Sequence, residues 1–154
     1  IQLVGWLRGV SLPRLSGADL LVALLALAER ESIRVVVYNK QGSLSSDEDI
    51  KQALEKQYPR LSFSFSLVSH SYALILATHG APEQELFLDT LATPGIKIGI
   101  GGALDYLTGK QSRAPLFLRS IGLEWLWRLI HQPHRIRRIY NAVVVFPLRA
   151  LFSK

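Results

Sequence analysis

Four short apolar segments along the first two thirds of the chain predict β-strands. Residues 34–38 (RVVVY) are short and rich in β-branched valine, and residues 73–77 (ALILA) form a continuous apolar run that is typical of a central parallel strand. Residues 63–67 (FSFSL) alternate strictly, which predicts one buried face and one exposed face. Residues 96–100 (IKIGI) predict a last strand, which is followed by a glycine pair.

Polar capping residues mark helices between these strands. They predict helices over about residues 16–31 and 45–58, and a turn followed by a helix over 80–92. Strands that alternate with helices predict an α/β fold, a Rossmann-like parallel sheet flanked by helices. The apolar run 20–28 has only nine residues, which is too short to span a membrane, and it predicts a buried helix.

Charge is distributed unevenly and divides the chain in two. Residues 1–112 carry ten Lys/Arg and eleven Asp/Glu, whereas residues 113–154 carry eight Lys/Arg against Glu124 alone. The C-terminal part has a helical pattern that Pro133 and Pro147 divide into segments. We therefore predict a core domain over 1–112 and a basic, amphipathic helical appendage over 113–154.

The basic appendage predicts an anionic partner. Membrane phospholipid, a diphosphate and nucleic acid are all anionic partners. The sequence contains no motif for binding nucleic acid, so we do not expect nucleic acid as a partner. Aromatic residues interleave with the arginines, as suits a membrane interface; they are Phe117, Trp125, Trp127, Tyr140, Phe146 and Phe152. No apolar run reaches ~18 residues, so we expect no transmembrane helix.

Parallel sheets bind ligands beyond the carboxyl ends of their strands. Three predicted loops leave such ends, at residues 38–46, 78–84 and 99–105. In the third loop, Gly101 and Gly102 let a ligand approach the backbone amides, and Asp105 can accept hydrogen bonds from a sugar or ribose hydroxyl. The alternative is that the glycines only form a tight turn and that Asp105 caps a helix.

A run of motifs occupies residues 101–109 (GGALDYLTG), 113–115 (RAP) and 122–129 (GLEWLWRL). This run closely resembles the WecG/TagA/CpsF-type glycosyltransferases, strongly over about 73–140 and more weakly over 9–60. The resemblance implies a bacterial enzyme that passes a hexosamine-type sugar from UDP to a polyprenyl-diphosphate-linked saccharide. The sugar is typically N-acetylmannosamine or a relative, and the products are cell-surface polysaccharides such as teichoic acid. The 1–112 domain would then bind the sugar nucleotide.

The resemblance also implies which residues bind the UDP-sugar. Residues 80–87 (GAPEQELF) match the family's Gly-x-Pro-Lys-Gln-Glu-x-Trp, with Glu83 in place of the lysine and Phe87 in place of the tryptophan. Residues 13–19 (PRLSGAD) resemble the family's Pro-Glu-Arg-Val-Thr-Gly-Ser-Asp, although without the resemblance Arg14 reads as a solvated loop residue. The implied substrate-binding set is Arg14, Gly17, Asp19, Gln84, Glu85, Gly101, Gly102, Asp105 and Arg113.

Three arginines match the arginine-bearing C-terminal appendage of the family. Arg128, Arg135 and Arg138 lie in the pattern Arg-Leu-x-x-Gln-Pro-x-Arg-x-x-Arg, near one face if a helix continues through Pro133. Guanidinium is always charged and forks onto phosphate oxygens, so the resemblance implies that they stabilise the departing UDP diphosphate without a metal. A solvated basic face is the alternative from charge alone.

The family's proposed general base is the aspartate of a Pro-Asp-Gly motif, which by this resemblance falls just upstream of Ile1. The chain begins inside an apolar pattern and contains no methionine, so we expect a truncated member with weak or no turnover. Asp105 is the nearest substitute for the base. The competing hypothesis is a non-catalytic module that binds a membrane surface or an acidic partner.

The sequence contains no recognisable motif for binding a metal or an organic cofactor. There is no cysteine, and the four histidines form no metal-binding signature, so we expect neither a metal nor another cofactor beyond the UDP-sugar substrate. The expected partners are the donor, the lipid-linked acceptor and an anionic membrane surface, with a homo-oligomer left open. These partners predict a cytoplasmic protein that lies peripherally on the inner face of the cell membrane.

Overall fold

The computed structural model describes residue 9 and residues 16–66, 73–120, 123–131, 136, 140–145 and 148–149. The chain divides into two compact units. One unit is Leu15–Ser112, and the other combines Ile1–Arg14 with Arg113–Lys154.

The first unit is built on a parallel sheet of four strands. They are β1 (Val35–Tyr38), β2 (Phe63–Ser64), β3 (Ala73–Ala77) and β4 (Gly95–Gly99), in the spatial order β2-β1-β3-β4. Every neighbouring pair is parallel. The five residues of β3 are all buried between two neighbouring strands, as their continuous apolar run predicted.

Helices connect and cover these strands. Helix α1 (Gly17–Arg30) precedes β1, α2 (Asp47–Gln57) links β1 to β2, and α3 (Glu83–Thr90) links β3 to β4. After β4, a 3₁₀ turn at Gly101–Ala103 leads directly into the short helix α4 (Leu104–Leu107). The α/β, Rossmann-like arrangement predicted from the sequence is therefore confirmed.

Serine caps fix the starts of α1 and α2. Ser16 accepts the backbone N–H of Asp19, and Ser46 forms a reciprocal capping box with Asp49. The pKa of Asp49 is lowered to about 2, chiefly because the carboxylate accepts the backbone N–H and hydroxyl of Ser46, and further because Lys110 pairs with it at 3.1 Å. The helix start predicted from the serines and acids at 45–49 is therefore confirmed, and Asp49 is the acid that completes its capping box.

Two apolar layers lie on opposite faces of the sheet. On one face, Val35 and Val37 belong to a core that includes Leu21 of α1 and Leu54 of α2. On the other face a smaller core forms around α3, with members Val36, Ala73, Ile75, Ala77 and Leu88. Helices α2 and α3 therefore cover opposite faces, as right-handed connections that run outward in opposite directions require.

Helix α1 is buried along one stripe only, which corrects the prediction of a buried helix over 20–28. Leu21, Leu25 and Ala28 are buried, whereas Val22 is 45% exposed and Leu27 is 39% exposed. The sequence is apolar on every side of this helix, so its periodicity could not identify the face that meets the sheet.

Strand β2 is shorter than the alternation over 63–67 predicted. Ladder pairing ends at Ser64, which lies opposite Val36. The Ser64 hydroxyl donates to the backbone oxygen of Ser66 at 2.7 Å, and this local bond favours a bend over continued pairing. Phe63 and Phe65 still pack against the same core, as their spacing predicted.

The second unit is helical where it is described. It contains α5 (Leu116–Ser120), α6 (Glu124–His131) and a π-helical turn at Asn141–Val145. Large apolar side chains are exposed on both α-helices, including Phe117 at 69% and Ile130 at 68%. Within the described ranges, no helix combines the length and apolar character needed to cross a bilayer.

Candidate functional site

The strand order places a topological switch point between β1 and β3. From β1 the chain runs outward to β2 on one side, and from β3 it runs outward to β4 on the other side. A crevice opens between the loops that leave such a strand pair, and open α/β sheets bind their ligands there. In this chain the two loops comprise residues 39–46 and 78–82, so the crevice lies between them.

Hydrogen bonds join the two loops where they leave β1 and β3. The backbone N–H of Thr78 donates to the Tyr38 oxygen at 3.1 Å, and the backbone N–H of Lys40 donates to the Thr78 hydroxyl oxygen at 2.8 Å. The Thr78 hydroxyl in turn donates to Asn39 Oδ1 at 2.9 Å. The backbones on either side of the crevice are therefore held at a fixed spacing.

The Asn39 side chain also organises its own loop. Its amide nitrogen donates to the backbone oxygen of Ser45 at 3.0 Å and to Asp47 Oδ1 at 2.9 Å, at the start of α2. Its amide oxygen also accepts the Ser43 hydroxyl at 2.8 Å. Neither Asn39 nor Thr78 was predicted as a site residue from the sequence. The available signal was a polar residue directly after each of two buried strands.

Gln84 fastens the loop after β3 to the turn after β4. Its side chain is buried, and Oε1 accepts the backbone N–H groups of both Gly80 and Gly101, each at 3.1 Å. Its Nε2 donates to Glu85 Oε1 at 2.8 Å. Gly80 and Gly101 have φ of +81° and +50°, conformations that suit glycine. The Gly101 amide, expected to face a ligand, is thus donated to Gln84.

Gly99 is required for this arrangement because the Gln84 side chain lies directly against it. A Cβ at residue 99 would lie 2.3 Å from Gln84 Nε2 and 2.4 Å from its Cδ. No side chain therefore fits at residue 99 while the Gln84 amide keeps its present position.

Asp105 is buried one turn further on and already has partners. Its Oδ1 accepts the Ser45 hydroxyl at 2.7 Å, and the Thr108 hydroxyl lies 2.8 Å from the same serine oxygen. Ser45 is itself buried in the loop after β1. Asp105 therefore links the loop after β1 to α4, and the three loops predicted from the sequence are joined to one another.

An ion pair connects the two sides of the crevice. Lys40 Nζ lies 2.8 Å from Glu83 Oε2. Glu83 is the residue that replaces the lysine of the Gly-x-Pro-Lys-Gln-Glu-x-Trp pattern. The hydrogen bond from Lys40 and the lysine charge lower the pKa of Glu83, and the charge of nearby His79 lowers it further. His79 stacks on Phe87 with ring centroids 4.8 Å apart, and the rings of Phe87 and Tyr38 are T-shaped with centroids 4.9 Å apart.

The other predicted site residues are placed as follows. Gly17 and Asp19 lie in the first turn of α1, which packs against the Gly101–Ala103 turn. Asp19 also accepts the Ser16 hydroxyl at 2.5 Å. Gly102 follows Gly101 in the 3₁₀ turn, and Glu85 accepts a hydrogen bond from Gln84.

The predicted arginines lie elsewhere. Arg113 and Arg128 belong to the second unit, and Arg14, Arg135 and Arg138 lie outside the described residues. Among the residues described, no group of three or more His, Cys, Asp or Glu could hold a metal ion.

Comparison with known protein families gives one match that spans the chain. Residues 1–154 match the family described as the glycosyl transferase WecG/TagA/CpsF family. The match covers the sheet, the three loops at its carboxyl edge and the basic second unit alike. It confirms the resemblance that the motifs at 101–129 indicated.

Proposed function

The chain belongs to the WecG/TagA/CpsF glycosyltransferase family, and from this premise we propose a specific reaction for it. The family consists of glycosyltransferases of cell-surface polysaccharide synthesis. We propose that this member transfers N-acetylmannosamine or a related hexosamine from UDP to a polyprenyl-diphosphate-linked saccharide. The observation that carries the proposal is that the matching motifs 80–85 and 99–105 converge at the carboxyl edge of the sheet, beside its switch point.

The proposed donor site lies in the crevice between the loops after β1 and β3. Gln84, Gly101 and Asp105 shape its wall from within, since their polar groups bond to one another's loops. Gly102 follows Gly101, Glu85 bonds to Gln84, and Gly17 and Asp19 lie in the first turn of α1, and all four belong to the proposed set of substrate-binding residues. Arg14 and Arg113 complete the proposed set of substrate-binding residues.

We assign the leaving-group chemistry to Arg128, Arg135 and Arg138. When the sugar leaves, the terminal phosphate of UDP gains negative charge, and guanidinium groups stabilise that charge without a metal ion. Replacing any one by alanine should weaken binding of UDP by ~10–100-fold, and binding of the UDP-sugar by less, because the extra charge exists only on UDP. Lysine should restore part of the loss. Equal weakening for both ligands would assign these arginines to general binding instead.

The basic second unit is proposed to dock on the inner face of the cell membrane, where the acceptor resides. Exposed Leu116, Phe117 and Ile130 supply apolar contacts, and the excess of Lys/Arg over residues 113–154 supplies attraction to anionic lipid. Binding to phosphatidylglycerol vesicles should therefore weaken as salt rises, and it should fall further in Phe117→Ser. Salt-independent binding would contradict the electrostatic part of this proposal.

Titration calorimetry with UDP, ADP and GDP tests the donor site, with each ligand measured in EDTA and again with Mg²⁺. We expect UDP to bind more tightly than either purine nucleotide, and its affinity to be similar in both buffers. Binding that requires Mg²⁺ would contradict the metal-independent mechanism. Equal affinity for all three nucleotides would contradict a site specific for UDP.

A further inference from the structure

Two oppositely charged side chains face each other across the switch-point crevice. Lys40 extends from the loop after β1, and Glu83 is the first residue of α3, directly after the loop that leaves β3. Their side chains are 48% and 64% exposed, so both reach the solvent at the mouth of the crevice while they contact each other at 2.8 Å. The pair is therefore open to solvent between the two loops, where a ligand can contact both charges.

The backbones that carry the pair are fixed, whereas the side chains are free to exchange partners. The Lys40 N–H is bonded to Thr78, and the Gly80 amide of the opposite loop is bonded to Gln84. An exposed ion pair contributes little net free energy, typically below about 1 kcal/mol, because water solvates both charges well. The lysine has a flexible four-carbon stem. Lys40 can therefore leave Glu83 for an anion of higher charge with little loss of free energy.

Lys40 is the single Lys or Arg of the two loops, so it is the group there that can pair with a phosphate. Residues 39–46 contain Lys40 and no other Lys or Arg before the acids of α2, and residues 78–85 contain Glu83, Glu85 and no Lys or Arg at all. A diphosphate that enters between these loops meets one lysine and, beside it, a carboxylate that repels it. The free carboxylate and the phosphate therefore compete for the same ammonium group.

We propose that Lys40 and Glu83 form an exchangeable pair, in which Lys40 passes from Glu83 to the diphosphate of the bound nucleotide and Glu83 sets the affinity by competing for it. This inference rests on the proposed function, because it takes UDP as the ligand. Lys40 is then a phosphate-binding residue, and Glu83 weakens binding so that UDP leaves readily after transfer.

Charge variants at the two positions test the exchange by calorimetry. Lys40→Ala should weaken UDP binding by ~10–100-fold, because a charge-assisted hydrogen bond to phosphate is lost. Glu83→Gln should strengthen it by ~3–10-fold, because the competing carboxylate is gone while the shape is retained. Uridine, which has no phosphate, should bind all variants equally. Lys51→Ala and Glu55→Gln, two exposed positions on α2, are the matched controls and should behave as the wild type.

The outcomes separate this inference from the proposed function. If the wild type binds UDP and neither variant changes its affinity, the exchange is wrong and the donor site stands. If uridine binding changes in parallel with UDP binding, the two residues contact the nucleoside, and the exchange is again wrong. If the wild type binds no UDP, the proposed donor fails, and inorganic pyrophosphate then tests the pair alone: affinity lowered by Lys40→Ala and raised by Glu83→Gln supports the exchange, and unchanged affinity overturns it.

Discussion

The buried Gln84 side chain and the N–H groups of Gly80 and Gly101 that it accepts, together called the Gln84 clamp, lead to a prediction about stability. Truncation by Gln84→Ala removes the oxygen that accepts the N–H groups of Gly80 and Gly101, each at 3.1 Å. Both glycines are only partly buried, so water can reach part of the space that the side chain leaves. The change therefore unfastens the loop after β3 from the turn after β4 without emptying the apolar core.

The expected cost follows from the number of bonds lost. An unsatisfied buried backbone donor costs about 1–3 kcal/mol, and two donors lose their partner here. Partial access of water reduces this, so we expect Gln84→Ala to lower the free energy of unfolding by about 2–4 kcal/mol. Gln84→Glu retains an acceptor for both amides, but it places a second carboxylate against Glu85 Oε1, which the Gln84 amide nitrogen contacts at 2.8 Å, so it should also destabilise the protein.

A substitution at Gly99 tests the position of the Gln84 amide independently, because the two residues lie in direct contact. Gly99→Ala places a Cβ 2.3 Å from Gln84 Nε2, so the amide must move and its bonds to the two glycines are lost. In Gln84→Ala that space is already empty, and the added methyl fits. The two changes should therefore be non-additive, with the double variant about 1–3 kcal/mol more stable than the sum of the single effects predicts.

Urea unfolding of the four proteins, followed by circular dichroism, measures this double-mutant cycle. Equal m-values across the set are required for the comparison, because a changed slope would mean a changed unfolded or native state. If the two effects add within about 0.5 kcal/mol, the Gln84 amide does not occupy the space beside Gly99, and the account of the clamp is wrong.

Three further predictions concern groups outside the clamp. NMR titration should give Asp49 a pKa of about 2, and both Ser46→Ala and Lys110→Ala should raise it, because each removes a partner of the carboxylate. Because the folded pKa lies below 3.8, the associated stability should be present above about pH 4 and lost as pH falls through 2. Gly95→Ala should destabilise the protein by about 3–5 kcal/mol in urea unfolding, because φ is +140° and the new Cβ would lie 2.1 Å from the backbone oxygen of Ala73. Ser45→Ala should cost about 1–3 kcal/mol by the same assay, because it removes a donor to buried Asp105; a neutral result would show that Asp105 needs no partner there.

Local signals in the sequence were enough to predict most of the fold. The apolar run at 73–77 became the buried central strand, and the serines and acids at 45–49 became a capped helix start. These features depend on neighbours a few residues apart. Two predictions about the fold needed correction. Strand β2 ends early because of a local serine hydrogen bond, and the buried face of α1 could not be predicted because its apolar run covers every side of the helix.

The contacts that build the site were beyond local signals. Thr78 meets Asn39 and Lys40 only because β3 lies beside β1 in the sheet, and the sequence predicted parallel strands but not their order. Gln84 was predicted as a site residue from the family resemblance, yet its bond to Gly101 depends on the position of the turn after β4. Side chains that face one another across a crevice are fixed by topology, which composition and spacing do not specify.

Hydrogen–deuterium exchange with and without UDP tests whether the nucleotide binds at the switch point, because it reports which backbone amides the nucleotide protects. We expect UDP to slow amide exchange in peptides covering residues 39–46, 78–82 and 99–105, while the α2 peptide 50–57 remains unchanged. Protection at these three loops together would support a donor site at the switch point. Protection confined to other segments, with these loops unaffected at saturating UDP, would contradict it.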